Sequence, residues 1–138
     1  MLLTVTAVDG DGQALAQTGG ETVPGWGGAQ AGLPGKAFAK LLKDALTGRY
    51  PVVSYWKQTF IVSDNRLPAL GSDTSTYRFA VSPTGGDITL HAQLLFRRTF
   101  QAEIQVRGWD TPDILMEQIQ TTIEVPPYWR VFLPALSR

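Results

Sequence analysis

The chain has 138 residues, which is the size of a single domain. Its 12 Lys and Arg balance its 12 Asp and Glu, so no basic field is available to hold nucleic acid or an anionic membrane. The absence of Cys excludes disulfides, thiolate metal sites, Cys nucleophiles and covalent haem attachment within this chain, and a single His leaves no histidine cluster.

Composition favours strands over helices. Only 17% of the residues are charged, and the 14 Gly and 9 Pro suit many short elements joined by turns. We therefore expect one mainly all-β domain over residues 1–138, an antiparallel β-sandwich of about six to eight strands with one or two short helices. Residues 1–8 lack the positive start of a signal peptide, and we expect the chain to be a fragment of a longer protein.

The N-terminal third combines one clear strand with a long irregular stretch. Residues 2–8 are apolar and β-branched, and Asp9-Gly10-Asp11-Gly12 is typical of a hairpin turn. Residues 13–35 are rich in glycine and lack a period, which predicts an irregular loop anchored by Trp26. Residues 36–46 fit a helix or a strand equally well, so their structure is left open.

The C-terminal half alternates strongly between apolar and polar residues. Residues 76–81 and 88–97, separated by Ser82-Pro83-Thr84-Gly85-Gly86-Asp87, predict a hairpin. In the strand over residues 88–97, one row of apolar side chains is expected to face the core: Ile88, Leu90, Ala92, Leu94 and Phe96. The alternate row, which includes His91, is polar and is expected to face solvent. Leu95 is the one apolar exception in that polar row.

Three further elements complete the prediction. Residues 52–62 are β-branched and aromatic, which predicts one or two strands that end in the segment 63–68. Residues 99–107 predict a short helix with Gly108 as its C-terminal stop. Residues 118–125 alternate as another strand, closed by Pro126 and Pro127.

The order of several segments resembles the all-β C-terminal domain that follows the haem-binding region in some bacterial multihaem c-type cytochromes. The resemblance rests on four segments: Gly35-Lys36-Ala37-Phe38-Ala39-Lys40, Ser63-Asp64-Asn65-Arg66-Leu67-Pro68, Ser75-Thr76-Tyr77-Arg78-Phe79, and Leu90-His91-Ala92-Gln93-Leu94-Leu95-Phe96-Arg97-Arg98. With the segment from Phe100 to Ile114, it covers about residues 35–125. The haem-binding C-x-x-C-H motifs of such cytochromes are missing from this chain.

The resemblance implies a non-catalytic accessory domain of an exported, periplasmic or extracellular, electron-transfer protein. Haem c would then belong to another part of the parent protein, and the partner would be that haem-binding domain or a redox partner. It also implies that residues 36–42 form a strand. Independently of the resemblance, the turn residues Asp64, Arg66 and Pro68 favour a structural brace, since such side chains satisfy turn backbone and fix the chain's exit.

Candidate ligands for iron or calcium are few. His91 could bind a haem iron supplied by a neighbouring domain, but no second ligand accompanies it, and an ordinary exposed histidine is favoured. Asp9 and Asp11 resemble the start of a calcium loop, but no acid follows at the position that closes such a loop. We expect a hairpin turn there.

No catalytic constellation is evident, so we predict that this chain is not an enzyme. Four Asp lie in turns, where capping is their common use, and His91 has no nucleophile motif to serve. Trp56 is expected in the core, whereas Trp26, Tyr128 and Trp129 lie in Gly- or Pro-rich segments and are candidate interface residues. The alternative function is a carbohydrate-binding module that uses exposed Trp and Tyr.

Overall fold

A computed structural model describes residues 1–53 and 56–127 of the chain. Tyr128 and Trp129, predicted as interface residues, lie outside the described residues. The described part contains eight strands and two short helices: β1 Leu2–Asp9, β2 Gln17–Gly19, a 3-10 helix Gly25–Gln30, β3 Gly35–Ala37, β4 Lys40–Asp44, β5 Thr59–Asp64, β6 Arg78–Phe79, β7 Gly86–Phe96, α1 Gln101–Arg107 and β8 Ile114–Val125. The prediction of a sandwich-like antiparallel all-β fold is confirmed.

The main sheet has four antiparallel strands in the order β3-β1-β7-β8. The strand pairs β2-β6 and β4-β5 form two smaller sheets. The open question over residues 36–46 is resolved as two short strands, because β3 pairs with β1 and β4 pairs with β5. Long-range pairing decides between helix and strand where the apolar period alone does not.

The predicted hairpin between residues 76–81 and 88–97 is wrong. The first segment contributes only β6, which pairs with β2, while β7 pairs with β1 and β8. The irregular loop predicted over residues 13–35 contains β2 and the 3-10 helix, so it is more ordered than expected. A turn sequence marks where the chain reverses, but it does not determine which strand will be the neighbour.

Helix α1 ends as the sequence predicts. Gly108 lies just beyond it in the left-handed conformation, with φ 62 and ψ 31 degrees. Its backbone N–H bonds back to the carbonyls of Gln105 and Ile104. Glycine adopts this conformation without the penalty that a Cβ imposes, so it is the residue that ends the helix here.

The compact core lies on one face of the sheet, near the start of β1. Leu2, Val23, Ala37 and Leu95 form a buried cluster, and Trp26 packs against it. Trp26 is therefore the anchor that the sequence predicts for its loop. Leu2 is directly opposite Leu95 across the β1-β7 ladder, so the two side chains share this face.

The expectation for β7 is therefore wrong at its C-terminal end. Leu95, predicted as the exception, is buried at 8% exposure, whereas Phe96, predicted in the core, is 42% exposed. Val23 and Ala37 cover the face that carries Leu95. Alternation groups residues by face, but it does not say which face the rest of the chain will cover.

Candidate functional site

The opposite face of the main sheet is apolar and largely open. Residues directly opposite each other on neighbouring strands share a face, so Val5 joins Ala92 and Ile119 in one row across β1, β7 and β8. Ile88 and Ile123 form a second pair on this face. We call the following set the open apolar face: Val5, Leu90, Ala92, Leu94, Ile119 and Ile123.

Exposure rises across this face towards β8. Val5, Leu90, Ala92 and Leu94 are half-buried, whereas Ile119 is 67% and Ile123 is 47% exposed. Only the far end is closed: Ala7 and Ile88 are buried, and Leu15 and Val81 lie beside Ile88 there. Leu90, Ala92 and Leu94, which sequence alternation predicts to face the core, are thus only partly covered, and Ile119 and Ile123 beside them are exposed.

A bulge changes the pattern at the start of β8. The pairing passes from Leu94 opposite Glu117 to Leu95 opposite Leu115, so Met116 is an extra residue in β8. Leu115 is thereby placed on the same face as Leu95 and the buried cluster. From Glu117 onwards the alternation is regular, and the predicted polar row that contains Gln118 and Gln120 lies away from the open apolar face.

The segment 64–68 makes long-range contacts, but through a side chain that the predicted brace did not include. Asn65 accepts a hydrogen bond from the Ala39 N–H at 2.8 Å and donates one to the Ala37 carbonyl at 2.7 Å. It thereby fastens the end of β5 to the connection between β3 and β4. The sequence prediction named Asp64, Arg66 and Pro68 for this brace and missed Asn65, whose role depends on partners distant in sequence.

Asp64 and Arg66 form a local pair within that turn. The Arg66 Nη2–Asp64 Oδ2 distance is 2.7 Å, and both side chains are substantially exposed, at 60% and 34%. The hydrogen bond from Arg66 is the main cause that lowers the pKa of Asp64 below its usual value. Pro68 is exposed, and its carbonyl accepts a hydrogen bond from the Gly71 N–H, so it takes part in the next turn.

Asp9 acts within its turn, as predicted for a hairpin. Its Oδ1 accepts hydrogen bonds from the N–H groups of Asp11 and Gln13, at 3.0 and 2.8 Å, and Val8 pairs with Ala14 across the turn. Across residues 1–53 and 56–127, no group of three His, Cys, Asp or Glu could hold a metal ion. The geometry therefore gives the calcium alternative at Asp9 and Asp11 no support.

His91 lies on the polar side of β7, where the alternation places it. It is opposite Thr6 on β1 and Gln120 on β8, and it is half-buried. With Gln93, Gln118 and Gln120 it lines a shallow cavity of about 170 Å³. The other residues that line this cavity are Ala92, Ile119 and these three Gln, and none of them is a usual ligand of haem iron.

The described Trp side chains differ in their environments. Trp26 meets Phe100 edge to face, with ring centroids 5.4 Å apart. Arg107 lies over the ring of Trp109 at 5.0 Å, and that Trp is 48% exposed. Trp56 is 60% exposed, so its expected place in the core is wrong. Carbohydrate binding by exposed aromatics stays a prediction.

Comparison with known proteins gives no relative to argue from. No protein-family model, no curated protein and no solved structure matches this chain. In the described residues, no helix has both the length and the apolar character needed to cross a membrane.

Proposed function

We propose that this chain is a non-catalytic accessory domain that binds another protein surface through the open apolar face. The observation that carries the proposal is the exposure of Ile119 and Ile123 in line with a continuous apolar row on β7. Contiguous apolar patches on a soluble domain mark interaction sites, because water contact with such a surface is unfavourable.

The polar content of this face supports contact with protein. Glu117 is its one charged residue within β8, and Thr121 is the only other polar side chain that β8 contributes there. The core of a protein interface is depleted of charge in the same way, whereas a nucleic-acid surface is basic. The partner surface is therefore expected to be apolar at its centre.

The resemblance over residues 35–125 suggests which partner this is. We propose the haem-binding region of an exported multihaem c-type cytochrome-like electron-transfer protein, with this domain holding that region in position. Haem c would be bound by the partner, since this chain has no Cys for covalent attachment. The site of action would be periplasmic or extracellular.

The first test is an absorbance spectrum and an intact mass of the natural gene product, purified from its own organism. A Soret band and a mass far above the 15.1 kDa of this chain are expected. A colourless product of this chain's own mass would overturn the cytochrome assignment. It would leave the open apolar face to be tested with other partners.

The second test asks whether the open apolar face makes the contact. The tagged chain, its Ile119→Lys variant and its Gln120→Lys variant are each mixed with the purified haem-binding region, and retained haem is measured by absorbance. Gln120 is the neighbouring residue on the opposite face, so its variant is a matched control. Loss of haem retention only with Ile119→Lys is expected, and equal retention by all three proteins would refute the proposed contact.

A further inference from the structure

A second candidate site lies apart from the open apolar face. A pocket of about 300 Å³ is bounded by the 3-10 helix, the β3-β4 connection and residues 97–100. None of its lining residues belongs to β8. The volume is at the lower end of the range for small-molecule sites.

One wall of this pocket is aromatic and fixed. Trp26, Phe38 and Phe100 line it. Phe38 is buried, and Trp26 is held on one side by the core cluster and on another by the edge-to-face contact with Phe100. A planar apolar group could pack against this wall with little rearrangement of the protein.

The remaining wall is positively charged. Four of the 12 Lys and Arg of the chain line the pocket, and no Asp or Glu lines it: the four are Lys40, Arg66, Arg97 and Arg98. This concentration stands out in a chain whose formal net charge is zero. Clefts lined by one sign of charge attract ligands of the opposite sign.

Two of the four cations are already paired, and two are available. Arg97 is bound to Asp113, and Arg66 to Asp64. Lys40 and Arg98 are exposed; Lys40 lies directly opposite Asp64 across the β4–β5 ladder and is attracted to its carboxylate, which also binds Arg66. Arg97 is therefore held in place on the charged wall of the pocket, while the side chains of Lys40 and Arg98 can turn towards a bound anion.

We propose that this pocket binds a small organic carboxylate whose body is a planar apolar ring. The ring would pack against Trp26 and Phe100, and the carboxylate would accept hydrogen bonds from Arg98 and Lys40. An apolar pocket with a few convergent charged donors is the usual form of such a site. The inference does not rest on the proposed protein contact, because it uses a different surface.

The test uses 2-naphthoate as the probe and 2-naphthamide as its uncharged match, titrated calorimetrically into the full chain. Binding of the carboxylate and at least about tenfold weaker binding of the amide are expected, since only the carboxylate can use both cations. The backbone amides of Trp26 and Phe100 should shift in the NMR spectrum as naphthoate is added. Shifts confined to β8 would place the probe elsewhere and refute the site.

Variants test the role of the charges. The double variant Lys40→Gln with Arg98→Gln should weaken naphthoate binding about tenfold, whereas Lys43→Gln should leave it unchanged. Lys43 is an exposed residue of the same strand that does not line the pocket. Equal binding by the double variant and the control, or no naphthoate binding by the unmodified chain, would overturn the proposal.

Discussion

The guanidinium of Arg97 forms two hydrogen bonds with the carboxylate of Asp113, and a third N–H reaches the carbonyl of Gly27 at 2.7 Å. One side chain therefore joins the end of β7, the segment before β8 and the 3-10 helix. The pair with Asp113 also joins the two ends of the segment 98–112, which contains α1. The Arg97 side chain is only 7% exposed, so its charge depends on these partners.

Removing the carboxylate should be costly for this reason. We expect Asp113→Ala to lower the free energy of unfolding by about 3 kcal/mol, because it leaves a buried cation unpaired. The control is Glu103→Gln, which breaks the exposed pair with Arg107 and should change stability by about 0.5 kcal/mol or less. Urea denaturation of both variants checks this, and equal losses would contradict it.

Asn65 gives a second stability test, within the predicted brace. Asn65→Asp keeps an acceptor for the Ala39 N–H but loses the donor to the Ala37 carbonyl and places a carboxylate beside that oxygen. A loss of about 1–3 kcal/mol is expected. Arg66→Gln, which breaks only the exposed local pair, should cost less than about 1 kcal/mol. Thermal unfolding of the two variants at neutral pH should rank them in this order.

Asp44 should make the fold sensitive to acid. Hydrogen bonds from the N–H groups of Thr47 and Leu46 lower its pKa below the usual value, and the residue is buried. A carboxyl whose pKa is lower in the folded chain binds more protons when unfolded. Its contribution is therefore present above the unfolded pKa of about 3.9 and is lost as the pH falls through the folded pKa.

The Asp44→Asn variant checks this dependence. Its free energy of unfolding should fall less steeply between about pH 5 and pH 2 than that of the unmodified chain, measured by urea denaturation at several pH values. Asp64 and Asp73, whose pKa values are also lowered, supply the slope that remains. Parallel pH profiles for the two proteins would rule out this role for Asp44.

Gly35 is required by the close approach of β3 to β1. A Cβ at this position would lie 2.1 Å from the Leu3 carbonyl oxygen, a backbone atom that cannot move aside alone. We expect Gly35→Ala to destabilise the chain by about 2 kcal/mol or more. Gly25→Ala is the control, since a Cβ there meets nothing within 4 Å. A midpoint of urea unfolding that shifts equally for both would show that the approach is not tight.

The exposed apolar residues of β8 should affect association more than stability. Because Ile119 is 67% exposed, Ile119→Lys should alter the free energy of unfolding by about 0.5 kcal/mol or less. It should also reduce any concentration-dependent self-association, as a charge on an open sheet does. Sedimentation velocity of Ile119→Lys and Gln120→Lys over a range of concentrations measures this. The prediction fails if Gln120→Lys has the larger effect.

Local patterns predicted the local features of this fold well. The strand character of β7 and β8, the turn at Asp9 and the glycine stop at Gly108 depend on neighbours within a few residues, and all three are confirmed; the predicted burial at the end of β7 is not. Which strands pair with one another was not predictable from such local patterns. Two-residue β6 joins β2, about 60 positions earlier in the chain, and nothing in its own sequence specifies that partner.

The candidate surfaces likewise combine local features that the sequence predicts with long-range contacts that it does not. Sequence alternation placed Ile119 and Ile123 on one face of the strand. It did not predict that the buried cluster would form on the other side of the sheet. Arg97 and Asn65 bond to partners that are distant in sequence, and no motif marks either residue. The pocket lined by Lys40, Arg66, Arg97 and Arg98 likewise draws its four cations from three separated segments, so only the fold brings these charges together.

The two edges of the main sheet are unequal. On one side the sheet ends in β3, three residues long, where the Gly35 N–H is already bound to the Glu21 carbonyl. On the other side it ends in β8, twelve residues long, beside which the described residues place no further strand. Among the described residues, the β8 edge therefore offers an added strand the longer run of backbone, whereas the β3 edge is short and partly occupied.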